Sequence, residues 1–145
     1  MADFIFYSAK EYIGDGTIDL DRETADSYKL ALYTDSSLPA ATYSTKALLD
    51  AAYTEVASGG GYTTGGVSLT SITWTRSGGT ITFDAANVQW TSATFTARFA
   101  IIYADYVTTP IIDPLLCLVD FGSNQTVSNG TFVVNFNASG IFTLA

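Results

Sequence analysis

The segment WTSATFTARFAIIYAD, from Trp90 to Asp105, limits what this chain can fold into more than any other stretch. Phe95, Ala97, Phe99, Ile101 and Tyr103 alternate with Thr94, Thr96, Arg98, Ala100 and Ile102. A period of two, carried by β-branched and aromatic residues, is the pattern of a β-strand. The first set makes an apolar core face. The second set is ambiguous, because Arg98 stands among small and apolar neighbours. An arginine stem packs on threonine and alanine while its planar guanidinium seeks a carboxylate. Arg98 is therefore expected to be partnered, either within the chain (Asp84 and Asp120 are the candidates) or by a neighbouring subunit.

Further strands are expected along the chain. DFIFY carries four apolar residues in a row, Phe4, Ile5, Phe6 and Tyr7, and reads as an edge strand or an adhesive arm spanning 1–7. Ser8 and Glu11 have capping-box spacing, and Gly14 is a natural stop, so one helical turn is expected there. TIDL and DSYKLALYT read as strands. Ser44–Ala57, with Leu49, Tyr53 and Val56 on one face, is the longest expected helix. VSLTSITWTR changes apolar phase between Leu69 and Ile72, which predicts a bulge near Thr70 and Ser71. SGG, from Ser77 to Gly79, predicts a hairpin turn into TITFD. LLCLVDFG reads as a strand covered on both faces, SNQTVSNG as a turn-rich loop, and TFVVNF and GIFTLA as closing strands. Strands at this spacing predict a mainly β, single domain over 1–145: an antiparallel β-sandwich or barrel-like fold with one or two short helices.

The charge balance narrows the partners. The chain has 14 acidic and 6 basic residues, a net charge of −8, and the basic residues are scattered. Phosphate backbones are held by clustered cations, so direct nucleic-acid binding is not expected, nor is anchoring to an anionic membrane. No apolar run approaches the roughly 18 residues of a membrane-spanning helix. The N-terminus lacks the basic and apolar regions of a signal peptide. Cys117, the single cysteine, lies within LLCLVDF and is expected to be a buried, inert thiol.

Catalytic chemistry has few candidates. With no histidine in the chain, the commonest general base and imidazole metal ligands are absent. Asp84, Asp105, Asp113 and Asp120 are the carboxylates outside the N-terminal part that a paired-carboxylate hydrolase would need. Asp15, Asp19, Asp21 and Glu23 offer hard oxygen ligands for calcium without matching an EF-hand loop, and read first as solvated edge charges. No cofactor or metal is expected. The glycine-rich loop Gly59–Gly66, around Tyr62, lacks the ending of a phosphate-binding loop and reads as a turning connection. Asn124, Asn129 and Asn137 begin glycosylation triplets but read as turn residues, since Asn tolerates left-handed backbone. Trp74 and Trp90 offer stacking surfaces for a sugar, yet both sit in strand patterns that favour the core.

Taken in order, IDLDRETADSYKLALYT, GGGYTTGGVSLTSITW, ITFDAANVQWTSATFTARFAIIYAD and LVDFGSNQTVSNGTFVVNFNASGIF resemble a family of small structural proteins encoded in the virion gene modules of tailed bacteriophages. The resemblance covers nearly the whole chain. It implies a non-enzymatic capsid decoration, or cement, protein, made in the host cytoplasm and carried on the outer surface of the head. Its partner would be the major capsid protein, whose neighbouring subunits it would tie together, and its expected state is a homotrimer. The alternative is a tail or baseplate component, or a carbohydrate- or receptor-binding β-sandwich. Candidate contact residues are Phe4, Ile5, Phe6 and Tyr7 of the N-terminal arm, Tyr62, Arg98, and Thr109 and Ile111 of the proline-containing loop Thr108–Pro114.

Overall fold

A computed structural model describes residues 3–22 and 27–145; Glu23 and Asp26 of the acidic N-terminal stretch lie outside them. The described residues form a mainly β structure of two antiparallel sheets with two short helices, as the strand spacing predicts. In chain order the elements are β1 (Phe4–Ile5), α1 (Tyr7–Gly14), β2 (Lys29–Tyr33), α2 (Lys46–Asp50), β3 (Val67–Ser68), β4 (Thr73–Ser77), β5 (Thr80–Asp84), β6 (Val88–Tyr103), β7 (Leu115–Val134) and β8 (Phe142–Leu144). The larger sheet runs β1-β7-β6-β2-β3 and the smaller β4-β5-β8. Tyr28, just ahead of β2, links the two sheets through an edge-on contact with Phe83 of β5 at 5.6 Å.

β6 is the spine. Its C-terminal half, from Phe99 to Tyr103, is buried on both faces between β2 and β7. Its N-terminal half pairs with β7 alone among the strands and alternates in exposure. Ser92 takes a left-handed backbone (φ 49°), and the buried positions change there from Val88 and Trp90 to Ala93 and Ala97. Such a bulge adds one residue and shifts the phase of the strand. Asn129 of β7 (φ 48°) makes the matching adjustment on the partner strand. A wider offset falls between the pairs Ala97↔Gln125 and Phe99↔Asp120, where residues 121–124 bow outward.

Several local expectations give way to tertiary contacts. SNQTVSNG is not a loop: its residues continue β7, because β6 supplies backbone partners as far as Val134. TIDL is a turn rather than a strand, held by Asp15 accepting from the Thr17 N–H and Asp19 accepting from the Asp21 N–H. The helix expected over Ser44–Ala57 stops at Asp50, since the chain turns extended to bond β2 through Thr34 N–H to Thr54 and Val56 N–H to Leu32. α1 begins earlier than the capping box requires; Phe6 is its N-cap residue and the Ser8 hydroxyl is buried with no hydrogen-bond partner among the described residues. The phase change at Thr70 and Ser71 is no bulge, because β3 and β4 belong to different sheets. The hairpin at Ser77–Thr80 forms as expected, with Gly78 left-handed at φ 61°.

Gly66 marks the tightest backbone approach. Its φ is 84°, and a side-chain carbon built there would collide with the Leu30 carbonyl of β2. Gly66→Ala should cost more than about 1 kcal/mol, from left-handed strain and displaced β2–β3 pairing. Gly79 has open space around its α-carbon, so Gly79→Ala is the neutral comparison. Urea midpoints of the two variants check this; equal midpoints would contradict it.

Candidate functional site

Only four large apolar side chains are strongly exposed among the described residues: Tyr7, Leu48, Ile112 and Val133. The first three lie on segments that backbone hydrogen bonds fasten together. The Tyr7 N–H donates to Ala41, the Lys46 N–H to Asp113, and the Leu115 N–H to Ser44, each at 3.0 Å. Thr45 also bridges Pro114. The start of α1, the turn 40–45, the start of α2 and the loop 108–114 thus form one end of the molecule. A shallow depression of about 260 Å³ opens there between Leu48, Thr42, Tyr43 and Ala52. This apolar end is the candidate interaction surface.

Two of the expected contact groups reach it. Tyr7 is 62% exposed, and the Lys10 ammonium lies 5.5 Å from its ring. Thr109, before a cis Pro110, is exposed, and Ile111 is half-buried beside the exposed Ile112. The remaining groups lie elsewhere. Phe4 and Ile5 pair with Leu118 and Cys117 of β7, making β1 an edge strand. Phe6 is wholly buried, with its N–H bonded to Leu116, so it has no surface to offer a partner. Leu48 and Ile112 carry no pattern that separates them from core residues; a lone leucine on a short helix is recognisable as exposed only once the helix is placed.

Tyr62 and Arg98 serve the interior instead. Arg98 Nη1 pairs with Asp120 Oδ1, one of its two internal candidates, and neither side chain is more than 14% exposed. Asp120 also accepts from the Gly122 N–H at 2.8 Å, holding the start of the 121–124 bow. The Asp3 carboxylate accepts from the Asp120 N–H at 2.7 Å, which ties the N-terminus to the same point. Tyr62 is 2% exposed and leans on Trp90 and Phe95. Its hydroxyl donates to Glu55 Oε1 at 2.7 Å and accepts from the Leu32 N–H at 2.9 Å.

That hydroxyl belongs to a buried network centred on Lys46. The ammonium donates to Glu55 Oε2 at 2.9 Å and Asp50 Oδ2 at 2.7 Å. The rings of Tyr33 and Tyr103 lie 5.9 and 5.6 Å from it. Tyr33 donates to Asp50 Oδ1 at 2.6 Å, Tyr103 to the Gly65 carbonyl at 2.6 Å, and the Gly65 N–H to Glu55 Oε1 at 2.7 Å. Burial works against the charge on Lys46, but its hydrogen bonds to Asp50 and Glu55 outweigh it, and the ammonium's pKa rises above 10.5. Burial pushes the Tyr33, Tyr62 and Tyr103 hydroxyls above the ordinary 10.0; Asp50 adds to this at Tyr33, Glu55 at Tyr62 and Asp105 at Tyr103. Only the Lys-with-two-acids spacing within 46–55 hinted at this network in the sequence.

Other candidate chemistry is dispersed. No group of three or more histidine, cysteine, aspartate or glutamate side chains among the described residues is arranged to hold a metal. Asp15 and Asp19 spend an oxygen each on their own turn, and hydrogen bonds from Thr17 hold the Asp15 carboxyl below its usual range. Asp113 titrates above its ordinary value, through burial and the nearby Asp105 carboxylate. Burial also pushes the Cys117 thiol up. Trp90 is 7% exposed inside an aromatic cluster with Tyr62, Phe95 and Phe132. Trp74 is half-buried beside Ile13, Ile18 and Leu20. Among the described residues no helix is long and apolar enough to cross a membrane. No protein-family model, curated protein or solved structure matches the chain.

Two predictions follow from the network. Lys46→Met strands Glu55 and Asp50 without their cation and should destabilise the fold by about 3 kcal/mol, read from the urea midpoint. The second concerns alkali. Lys46 and the three tyrosines titrate higher folded than unfolded, so their contribution is complete below about pH 10 and is lost as pH climbs past it. The midpoint should therefore stay level with respect to these groups up to about pH 10 and then fall. Tyrosinate absorbance from them should appear together with unfolding; its appearance at pH 10 in a folded protein would contradict the network.

Proposed function

We propose that the protein is a non-enzymatic structural component of a tailed-phage virion, a decoration protein that binds the outer surface of the head and stabilises contacts between major capsid subunits. The observation that carries this reading is the apolar end formed by Tyr7, Leu48 and Ile112. These side chains stand exposed on segments cross-tied by backbone hydrogen bonds, so burying them against a partner orders little that is not already ordered. Burying a leucine or isoleucine side chain contributes about 1.5–3 kcal/mol. Repetition over a shell multiplies the effect of each contact. The resemblance of the ordered motifs favours a virion component, and the exposed apolar end is what favours docking through this face. A decoration protein stabilises a shell by binding its mature lattice better than its immature one, as any ligand that shifts an equilibrium must. The net charge of −8 suits a protein that has to remain in solution beside packaged DNA.

The test adds purified protein to heads that lack it and measures copies bound and survival on heating. Saturable binding in hundreds of copies, with better survival, is the expected result. Binding confined to tails, or in a handful of copies, favours the tail or baseplate reading instead. Leu48→Asp and Ile112→Asp should each weaken head binding at least about ten-fold, the equivalent of roughly 1.4 kcal/mol, with an unchanged circular-dichroism spectrum. Undiminished binding by both variants removes this end from the interface.

A further inference from the structure

The loop that carries Thr109, Ile111 and Ile112 ends on Asp113–Pro114, the one Asp–Pro bond in the chain. A residue before proline is pushed toward extended backbone with negative φ, yet Asp113 has φ 47°. Hydrogen bonds of 3.0 Å hold it there from both sides. The Asp113 N–H donates to the Val107 carbonyl, the Ala104 N–H to the Pro114 carbonyl, and the Leu115 N–H to Ser44. The Asp113 carbonyl itself accepts from the Lys46 N–H at 3.0 Å. We propose that Asp113–Pro114 is a self-cleavage site, cut in mildly acidic solution by the Asp113 carboxyl.

The step balances without an oxidant or reductant. One oxygen of the protonated carboxyl adds to the main-chain carbonyl carbon of Asp113, closing a ring. The carbon–nitrogen bond to Pro114 breaks, and the carboxyl's proton goes to the Pro114 nitrogen, which leaves as a secondary amine. One water then opens the cyclic anhydride to a free Asp113 C-terminus. Backbone strain stored at Asp113 is released by the cut. The Lys46 N–H is aimed at the oxygen on which negative charge develops. The Asp113 carboxyl is half-buried and takes no hydrogen bond or ion pair among the described residues, so it can turn onto the carbonyl. Asp3, Asp50, Asp105 and Asp120 are all engaged. Protonation of Asp113 is also favoured: burial and Asp105 raise its pKa, and Lys46 of α2 and Lys29 of β2 offset this only in part. Tyr103 of β6 is the remaining titratable neighbour, and burial keeps its hydroxyl neutral.

A cut here frees the end of the loop that bears Ile112, but it does not depend on head binding and is tested without heads. The β6–β7 ladder joins the two fragments, so the cut chain stays assembled until it is denatured. The purified full chain is incubated folded at about pH 5, above the ordinary aspartate value, then resolved on a denaturing gel and weighed by mass spectrometry. Fragments 1–113 and 114–145 should appear at least about ten-fold faster than from the same chain in urea, the equivalent of roughly 1.4 kcal/mol of barrier. Asp113→Asn, which accepts the left-handed backbone, should remove them. Asp105→Asn should move the onset of cutting to lower pH, since a carboxylate that raises the Asp113 pKa is gone. If Asp113→Asn fails to fold, Asp105→Asn decides. An uncut chain, equal rates in the folded chain and in urea, or an onset that Asp105→Asn leaves in place overturns the proposal, as does cutting of Asp113→Asn.

Discussion

A buried ammonium ties the larger sheet to α2 and to the glycine-rich loop. Lys46 sits on the short helix α2, Glu55 on the segment that returns to β2, and Tyr62 and Gly65 on the glycine-rich loop. Tyr33 comes from β2 and Tyr103 from the end of β6. One cation and two carboxylates thus gather two strands, a helix and a loop with few apolar residues of its own. Taking such charges out of water costs several kcal/mol each, and good hydrogen-bond geometry offsets that cost without large surplus. What the network adds is definition: few other arrangements of these segments satisfy every donor and acceptor.

Arg98 and Asp120 do the same midway along the β6–β7 pairing. Their pair lies where β7 bows outward and where the N-terminus is tied down through Asp3. Lys29 and Asp105 add a third, more exposed pair at 3.2 Å. Among the described residues Lys29, Lys46 and Arg98 are committed to internal carboxylates, and the uncharged stretch of β6 and β7 beyond Arg98 is left to aromatic packing and backbone pairing.

Legibility in the sequence followed the range of the interactions. The hairpin at Ser77–Thr80 and the core face of Phe99, Ile101 and Tyr103 depend on turn chemistry and on a period of two, which neighbouring residues carry. Burial of Cys117 was equally plain, since its apolar neighbours lie on both sides. Ser123–Gly130 misled because Ser, Asn and Gly favour turns in isolation, whereas β6 offers that segment a continuous ladder. Thr54 and Val56 left the expected helix because β2 had bonds to give them. In the candidate site, Tyr7 and the loop 108–114 stood out as apolar residues beside turn signals. Leu48 did not, as its exposure depends on where a five-residue helix is set down.

By itself the sequence determined that this chain makes antiparallel sheets, that its core is aromatic and β-branched, and that charge is kept out of its C-terminal part. These are properties of periodicity and composition, which local physics reads directly. Tertiary structure alone decided which carboxylate meets Arg98, that Lys46 is buried, and that Tyr7, Leu48 and Ile112 share one end. Each of those outcomes joins residues distant in sequence or turns on how an element is packed, and only the packed chain brings the partners together.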